Sequence, residues 1–326
     1  MKALRVESLS EDLSGVALID APSPDRKPGE VLVRVLAASL NFPDLLMTKG
    51  KYQFKPNLPF ISGLECAGEV IEADPHSGFK VGERVMGGNK TGAFAEIASL
   101  PAKGLSSIPK NFSFAQSAAM GAAYSTAYTG LIELGNLRER QTVLVTGASG
   151  GVGLAAIDLA NALGATTIAA TGVEAKATSI TELASPDHVI VSEGRFREAV
   201  AEITQGRLCD IVFDNVGGDV FDEATRCVSF AGKLVVCGFT SGRIPEIATN
   251  IPLIKGFSVV GLRAGEYARR FPERGQTIRD AIRDLAEAGA IKPAVSTTLP
   301  LSQWRKGFEA MARRELVGKV VFDPTR

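Results

Sequence analysis

Metal-binding side chains are scarce in this chain: two histidines, His76 and His188, and four cysteines, Cys66, Cys209, Cys227 and Cys237, among 326 residues. None of the cysteines forms a C-x-x-C pair, which removes the spacing on which most zinc and dithiol sites are built. Cys209, Cys227 and Cys237 sit within apolar stretches, where a cysteine acts as a small hydrophobe. His76, between Pro75 and Ser77, reads as a turn residue, and His188, at the head of an apolar run, as a structural histidine. Charge of one sign is lacking too. Lys plus Arg and Asp plus Glu are both 36, so no broad field attracts nucleic acid or anionic lipid, and no local basic run takes its place. Long hydrophobic runs are absent: the small-residue stretch 118–135 is broken by Tyr124, Ser125, Thr126, Tyr128 and Glu133, short of the uninterrupted length that spans a bilayer. The first residues, MKALRVESLS, carry no apolar signal segment. With free thiols expected, the reading is a cytoplasmic protein without membrane or nucleic-acid partners.

What the chain does have is length for about two domains and 34 glycines distributed unevenly. Up to about residue 115 it consists of turn formers and short β-like runs, such as 31–36 after Lys27-Pro28-Gly29. From about 140 to 262 strand and helix patterns alternate. Apolar runs at 143–145, 167–171, 188–191, 211–213, 234–237 and 257–262 are separated by helical segments, the first with Val152, Ala156, Leu159 and Leu163 on one face and Gly164 as its stop. Six strands joined by crossovers predict an α/β fold with a doubly wound parallel sheet. The tail carries two amphipathic helices, through Ile278, Ile282 and Leu285 and through Trp304, Phe308 and Met311, then a strand at 319–322. It has too little core of its own to stand alone, so it is expected to pack back on the first domain.

The strongest local signal is the segment 142–153, Thr-Val-Leu-Val-Thr-Gly-Ala-Ser-Gly-Gly-Val-Gly, followed at once by an amphipathic helix. In a dinucleotide-binding turn one small residue permits the tight turn, a second lets backbone approach the pyrophosphate, and a third allows close helix packing. Ala148, Gly150 and Gly153 occupy those places. The helix N-terminus then offers free N–H groups and a partial positive charge to phosphate. The next strand ends in Ala169-Ala170-Thr171-Gly172, without the carboxylate that would accept the ribose hydroxyls of NAD. Lys176 lies just beyond and predicts NADPH, although Glu174 opposes it and Lys176 also reads as a solvated first-turn lysine.

At this point the chain resembles the zinc-independent quinone oxidoreductase branch of the medium-chain dehydrogenase/reductase superfamily, the zeta-crystallin-like proteins. The segments that carry the resemblance are Ala38-Ser-Leu-Asn-Phe-Pro-Asp44, Gly50-Lys-Tyr52, 58–70, Val81-Gly-Glu-Arg-Val85, Thr126-Ala-Tyr128, the glycine turn, Asp214-Asn-Val-Gly-Gly218, Gly238-Phe-Thr-Ser-Gly242 and Gly318-Lys-Val-Val321. The resemblance implies a GroES-like catalytic domain, 1–119 plus 265–326, with a Rossmann NADPH-binding domain, 120–264, inserted in it and the cofactor in the cleft. Zinc-dependent relatives place a cysteine near Asn41, a Gly-His-Glu where this chain has Gly63-Leu64-Glu65, and a four-cysteine lobe after the segment matching 81–85. None of those ligands is present. No metal is therefore expected, and zinc-assisted alcohol oxidation is disfavoured.

Without a Lewis acid, the hydride acceptor must already be electrophilic, a quinone or an α,β-unsaturated carbonyl, and the site needs oriented hydrogen-bond donors and a proton source. By position, the resemblance implies Tyr52 and Asn41 as catalytic residues, Tyr52 the leading donor. It implies Thr126 at the carboxamide, Ser149, Gly150, Gly151 and Val152 at the pyrophosphate, and Gly172 and Lys176 at the adenosine phosphate. Asn215, Gly238, Phe239, Thr240, Leu262 and Arg263 would flank the ribose and nicotinamide. Asn41 also precedes Phe42-Pro43 and could be a helix cap; Tyr52 could simply cover the core. Ser192 stands where relatives often have a tyrosine on the adenine side. A homodimer, joined through the apolar edge strand 257–262, is expected as well.

Overall fold

A computed structural model describes residues 1–326. Contacts divide it into two compact units, 1–122 with 295–326, and 123–294.

The first unit begins with β1 (Lys2–Val6), β2 (Val16–Asp20) and β3 (Glu30–Ser39), then α1 (Phe42–Thr48), β4 (Phe60–Ile61), β5 (Glu65–Ala73), β6 (Arg84–Gly88), β7 (Ile97–Pro101) and β8 (Leu105–Ser107). Helix α2 (Phe114–Tyr128) starts in this unit and leads into a π-helical turn, Thr129–Leu134. The β-rich texture read from the sequence is thus realised.

The second unit holds β9 (Thr142–Thr146), α3 (Gly151–Ala162), β10 (Thr166–Thr171), α4 (Glu174–Ala184), β11 (His188–Val191), α5 (Arg197–Ile203), β12 (Cys209–Asp214), α6 (Gly218–Ala224), β13 (Val228–Val236), α7 (Asn250–Lys255) and β14 (Ser258–Gly261). All its strand pairs are parallel, in the order β11-β10-β9-β12-β13-β14. The chain starts in the middle with β9, winds out to β11, then returns and winds out to β14. The middle strands are buried on both faces, which is why Val143, Leu144 and Val145, all at zero exposure, form a continuous apolar run and do not alternate. Helix α3 stops where Gly164 turns left-handed, φ +72°.

Two further helices, α8 (Ala264–Arg270) and α9 (Pro272–Glu287), also belong to this unit. That corrects the expected division at 264. Hydrogen bonds account for the difference: the Tyr267 hydroxyl donates to Glu133 (2.7 Å), and the Lys292 amide donates to Asp158 on α3 (2.7 Å). Ile278, Ile282 and Ala286 on α9 are buried.

The chain closes with β15 (Val295–Pro300), α10 (Trp304–Ala312) and β16 (Lys319–Asp323), and these do return to the first unit. β16 pairs antiparallel with β3, completing the sheet β15-β16-β3-β5-β6-β8. The Phe322 and Phe308 rings meet Phe94 edge-on, with centroids 5.2 and 6.1 Å apart, and Trp304 packs edge-on against Phe308. The aromatic stripe of α10 is core, joining the two ends of the chain.

Candidate functional site

In an open parallel sheet, ligands bind beyond the carboxyl ends of the strands where the winding reverses. Here the reversal falls between β9 and β12, and the loops after β9, β10, β12, β13 and β14 leave the sheet at that same edge. After β9 the backbone turns sharply: Gly147 has φ +61°, and the Gly150 amide bonds back to the Gly147 carbonyl at 3.1 Å. Gly150 takes the N-cap position of α3. The first bond of the helix runs from the Leu154 amide to the Gly150 carbonyl (2.9 Å). The amides of Gly151, Val152 and Gly153 are therefore those that a helix N-terminus leaves without an intrahelical acceptor. Gly153 packs tightly on the turn, whereas a Cβ on Gly150 would have its nearest neighbour at 3.6 Å, towards open space. Free main-chain amides at a helix start make this turn a candidate anion cradle.

Beside it, Asp214 at the end of β12 is buried, and burial raises its pKa. The carboxyl accepts the Thr146 hydroxyl and the amides of Val216 (3.1 Å) and Gly217 (3.0 Å). Asn215 donates its side-chain amide to the Thr146 carbonyl (3.0 Å), and the Thr240 hydroxyl donates to the Asn215 carbonyl (3.0 Å). These bonds fix the loops after β9, β12 and β13 to one another. Gly238, Phe239 and Thr240 follow β13, and Leu262 and Arg263 follow β14, with the Leu262 amide bonded to the Val236 carbonyl (2.9 Å). Gly172 follows β10, and Lys176 stands in the first turn of α4. Ser149 to Val152, Asn215, Gly238 to Thr240, Leu262, Arg263, Gly172 and Lys176 thus emerge along one edge of one sheet. Thr126 lies half-buried on α2.

The first unit contains a feature that the sequence reading missed. Asn41, Asp44, Glu65 and Lys319 are 8, 0, 5 and 6% exposed, respectively, and form one buried polar cluster. The Lys319 ammonium donates to Asn41 Oδ1 (2.6 Å) and Glu65 Oε1 (3.0 Å). Asn41 Nδ2 donates to Glu65 Oε1 (2.9 Å) and the Ser39 carbonyl (3.1 Å). Glu65 Oε2 accepts the Ala122 amide (2.7 Å), and a side chain on Gly121 would crowd that oxygen at 2.9 Å. Asp44 Oδ2 accepts the Asn41 amide (2.8 Å), while its buried Oδ1 has no hydrogen-bond partner. Burial pushes the Asp44 carboxyl up to about 7, against the opposing pull of the Asn41 amide and Lys319.

Asn41 does occupy the N-cap position of α1, with extended backbone (φ −119°, ψ 153°). Both of its amide hydrogens are engaged in the cluster, and its Oδ1 accepts from Lys319. Tyr52 is half-buried and packs on the apolar core of this unit. His76 is an exposed turn residue, and His188 is exposed at the start of β11.

Nothing here fits a metal ion. No three His, Cys, Asp or Glu side chains come together, and the carboxylate of Glu65, in the segment where zinc-dependent relatives carry ligands, already faces a covalently tethered cation. The signal in the sequence was Lys319 and Glu65 themselves, each inside a family segment but without an assigned role.

Two family descriptions match the chain: an alcohol dehydrogenase GroES-like domain over residues 27–110 and a zinc-binding dehydrogenase over 151–283. The quinone oxidoreductase-like protein 2 homolog of Nematostella vectensis is 37% identical over 298 residues, covering 90% of this chain and 81% of that protein. The quinone oxidoreductase of Pseudomonas aeruginosa is 32% identical, covering 91% and 92%. A mycobacterial protein solved in complex with NADPH superposes with a TM-score of 0.90 at 26% identity, covering 99% of this chain and all of that one. The chain belongs to the medium-chain dehydrogenase/reductase superfamily, among its quinone oxidoreductase-like members.

Proposed function

We propose that this protein is an NADPH-dependent reductase of quinones or α,β-unsaturated carbonyls that works without a metal ion. The relatives support an oxidoreductase using a nicotinamide cofactor. The observation that carries the finer reading is the Lys319 ammonium held by Glu65 and Asn41: with no room for a Lewis acid there, the acceptor must bring its own electrophilicity. When bound, the reduced nicotinamide supplies a hydride. Ser149, Gly150, Gly151 and Val152 would hold the pyrophosphate, Gly172 and Lys176 would lie at the adenosine phosphate, and Asn215, Gly238 to Thr240, Leu262 and Arg263 would flank the ribose and nicotinamide, with Thr126 at the carboxamide. Tyr52 would donate a hydrogen bond to the carbonyl oxygen of the acceptor, where negative charge would develop. Asn41, whose amide hydrogens are already engaged by Glu65 and the Ser39 carbonyl, would act through the Lys319 cluster.

The absence of a carboxylate after β10 and the nearness of Lys176 support NADPH over NADH. The protein acts as a homodimer in this reading: β14 is the sheet edge, and Phe230 (83% exposed), Leu253, Ile254 and Val259 give that region an apolar surface. A cytoplasmic location is supported by four free thiols, and no helix is long and apolar enough to cross a membrane.

The test is a panel of quinones, 2-alkenals and enones offered with NADPH and, separately, NADH, following loss of the reduced cofactor. Steady turnover with a lower KM for NADPH is expected. Tight NADPH binding with no turnover on any acceptor would replace the enzyme by a cofactor-binding protein of the same fold, and a lower KM for NADH would overturn the cofactor choice.

A further inference from the structure

Lys319 has no partner near it in sequence. Its Nζ reaches Asn41 and Glu65, respectively 278 and 254 residues away, so the contact exists only because β16 comes back to lie against β3. Three backbone segments meet at this ammonium: the end of β3 through Asn41, whose side-chain amide also holds the Ser39 carbonyl, the first residue of β5 through Glu65, and the first residue of β16. Helix α2 is joined to it through the Ala122 amide. A buried pair of this kind returns little net stability, because desolvation cancels much of its attraction. Its better attested use is to specify one arrangement.

What it can specify is local. Asn41 is the residue before α1, and Asp44 closes the same helix start from the other side. Helix α1 is only seven residues long, and its last turn passes straight into the bend that carries Tyr52, through bonds from the Gly50 amide to Met47 (3.2 Å) and the Lys51 amide to Leu46 (2.9 Å). A helix this short does not hold itself in water. Its placement comes from Leu45, Met47 and Thr48 in the core and from the anchored N-terminus.

We infer that Lys319 is a positioning residue, a built-in cation that clamps Asn41 and Glu65 and thereby sets the start of α1 and the course of the Tyr52 segment. The inference rests on the proposed reductase activity only for its kinetic readout. Its structural readout stands without turnover.

The experiment compares wild type with Asn41→Ala, Lys319→Arg and the charge-neutral double variant Glu65→Gln/Lys319→Met. Asn41→Ala removes one contact of the ammonium together with the bonds Asn41 donates to Glu65 and the Ser39 carbonyl, and leaves the ion pair in place, so it keeps a folded protein in hand even if the double variant fails to fold. Amide hydrogen exchange over 41–52 is expected to speed up roughly tenfold or more in Asn41→Ala and in the folded double variant. Exchange over 142–153 and the Kd for NADPH stay within about twofold of wild type. Lys319→Arg, which keeps the cation, retains slow exchange. With an active acceptor, kcat falls with exchange and recovers in Lys319→Arg. Wild-type exchange over 41–52 in Asn41→Ala or in the double variant overturns the inference and leaves Lys319 a space-filling ion pair. If no acceptor is turned over, the reductase reading fails while the exchange result still decides this one.

Discussion

Gly153 sits so close to Gly147 that a Cβ built on it would lie 2.5 Å from the Gly147 carbonyl oxygen, and that carbonyl belongs to the turn in which the main chain leaves β9. Gly150, three residues earlier, leaves room for a side chain, whose Cβ would have its nearest neighbour, the Gly147 carbonyl oxygen, at 3.6 Å. Substituting the two glycines is therefore expected to separate folding from binding. Gly153→Ala pushes α3 off the turn and is expected to destabilise the protein by about 1–3 kcal/mol, read as a lower Tm. Gly150→Ala leaves Tm near wild type and puts a methyl group where phosphate would approach. Loss of about one charge-assisted hydrogen bond, ~1.5–3 kcal/mol, raises the Kd for NADPH roughly ten- to hundredfold. Unchanged affinity in Gly150→Ala would remove the cradle from the cofactor site.

Asp44 gives stability a definite pH dependence. Its folded pKa, near 7, is raised above the ordinary carboxyl value by burial, so the folded state holds this proton more tightly than the unfolded chain. The associated stabilisation is full below the ordinary carboxyl range and is lost as pH rises through about 7. Asp44→Asn cannot titrate and keeps an oxygen for the Asn41 amide. Its Tm relative to wild type should therefore rise between pH 5 and pH 8; a constant difference over that range would show that Asp44 does not titrate there.

The four thiols should be inert in the native protein. Burial pushes Cys66, Cys227 and Cys237 up to about 12 and raises Cys209 as well, so almost no thiolate exists at neutral pH. A thiol-exchange reagent is expected to label none of them promptly, and all four after denaturation. Fast native-state labelling of Cys66, Cys209 or Cys227, the three buried thiols, would contradict their burial, whereas Cys237 is half-buried.

Tyr52→Phe keeps the ring on the core and deletes the hydroxyl. The expected result is an unchanged Tm and NADPH affinity with kcat/KM for the acceptor reduced roughly ten- to hundredfold, the scale of one lost donor to a developing oxyanion. Kinetics equal to wild type would leave Tyr52 as a core-covering residue.

The glycine turn was legible because its information is local: the tight turn at Gly147, the helix start at Gly150 and the close packing of Gly153 are settled by residues within 142–153. The six parallel strands were legible for the same reason, since burial on both faces writes itself as short apolar runs. The division of the tail was not. Residues 265–294 bond to Glu133 and Asp158, and no periodicity in α9 announces which core it will cover. Asn41 was expected near the chemistry; that its side chain bonds to Glu65 and Lys319 depends on a partner 278 residues distant.

The amino-acid sequence by itself determined the α/β fold class, the glycine turn before α3 and the scarcity of His and Cys, because each is a matter of residue type and short spacing. Tertiary structure alone decided what fills the place of metal ligands. Only when β16 pairs with β3 does Lys319 meet Glu65 and Asn41, and once they are buried together the desolvated charges must satisfy one another.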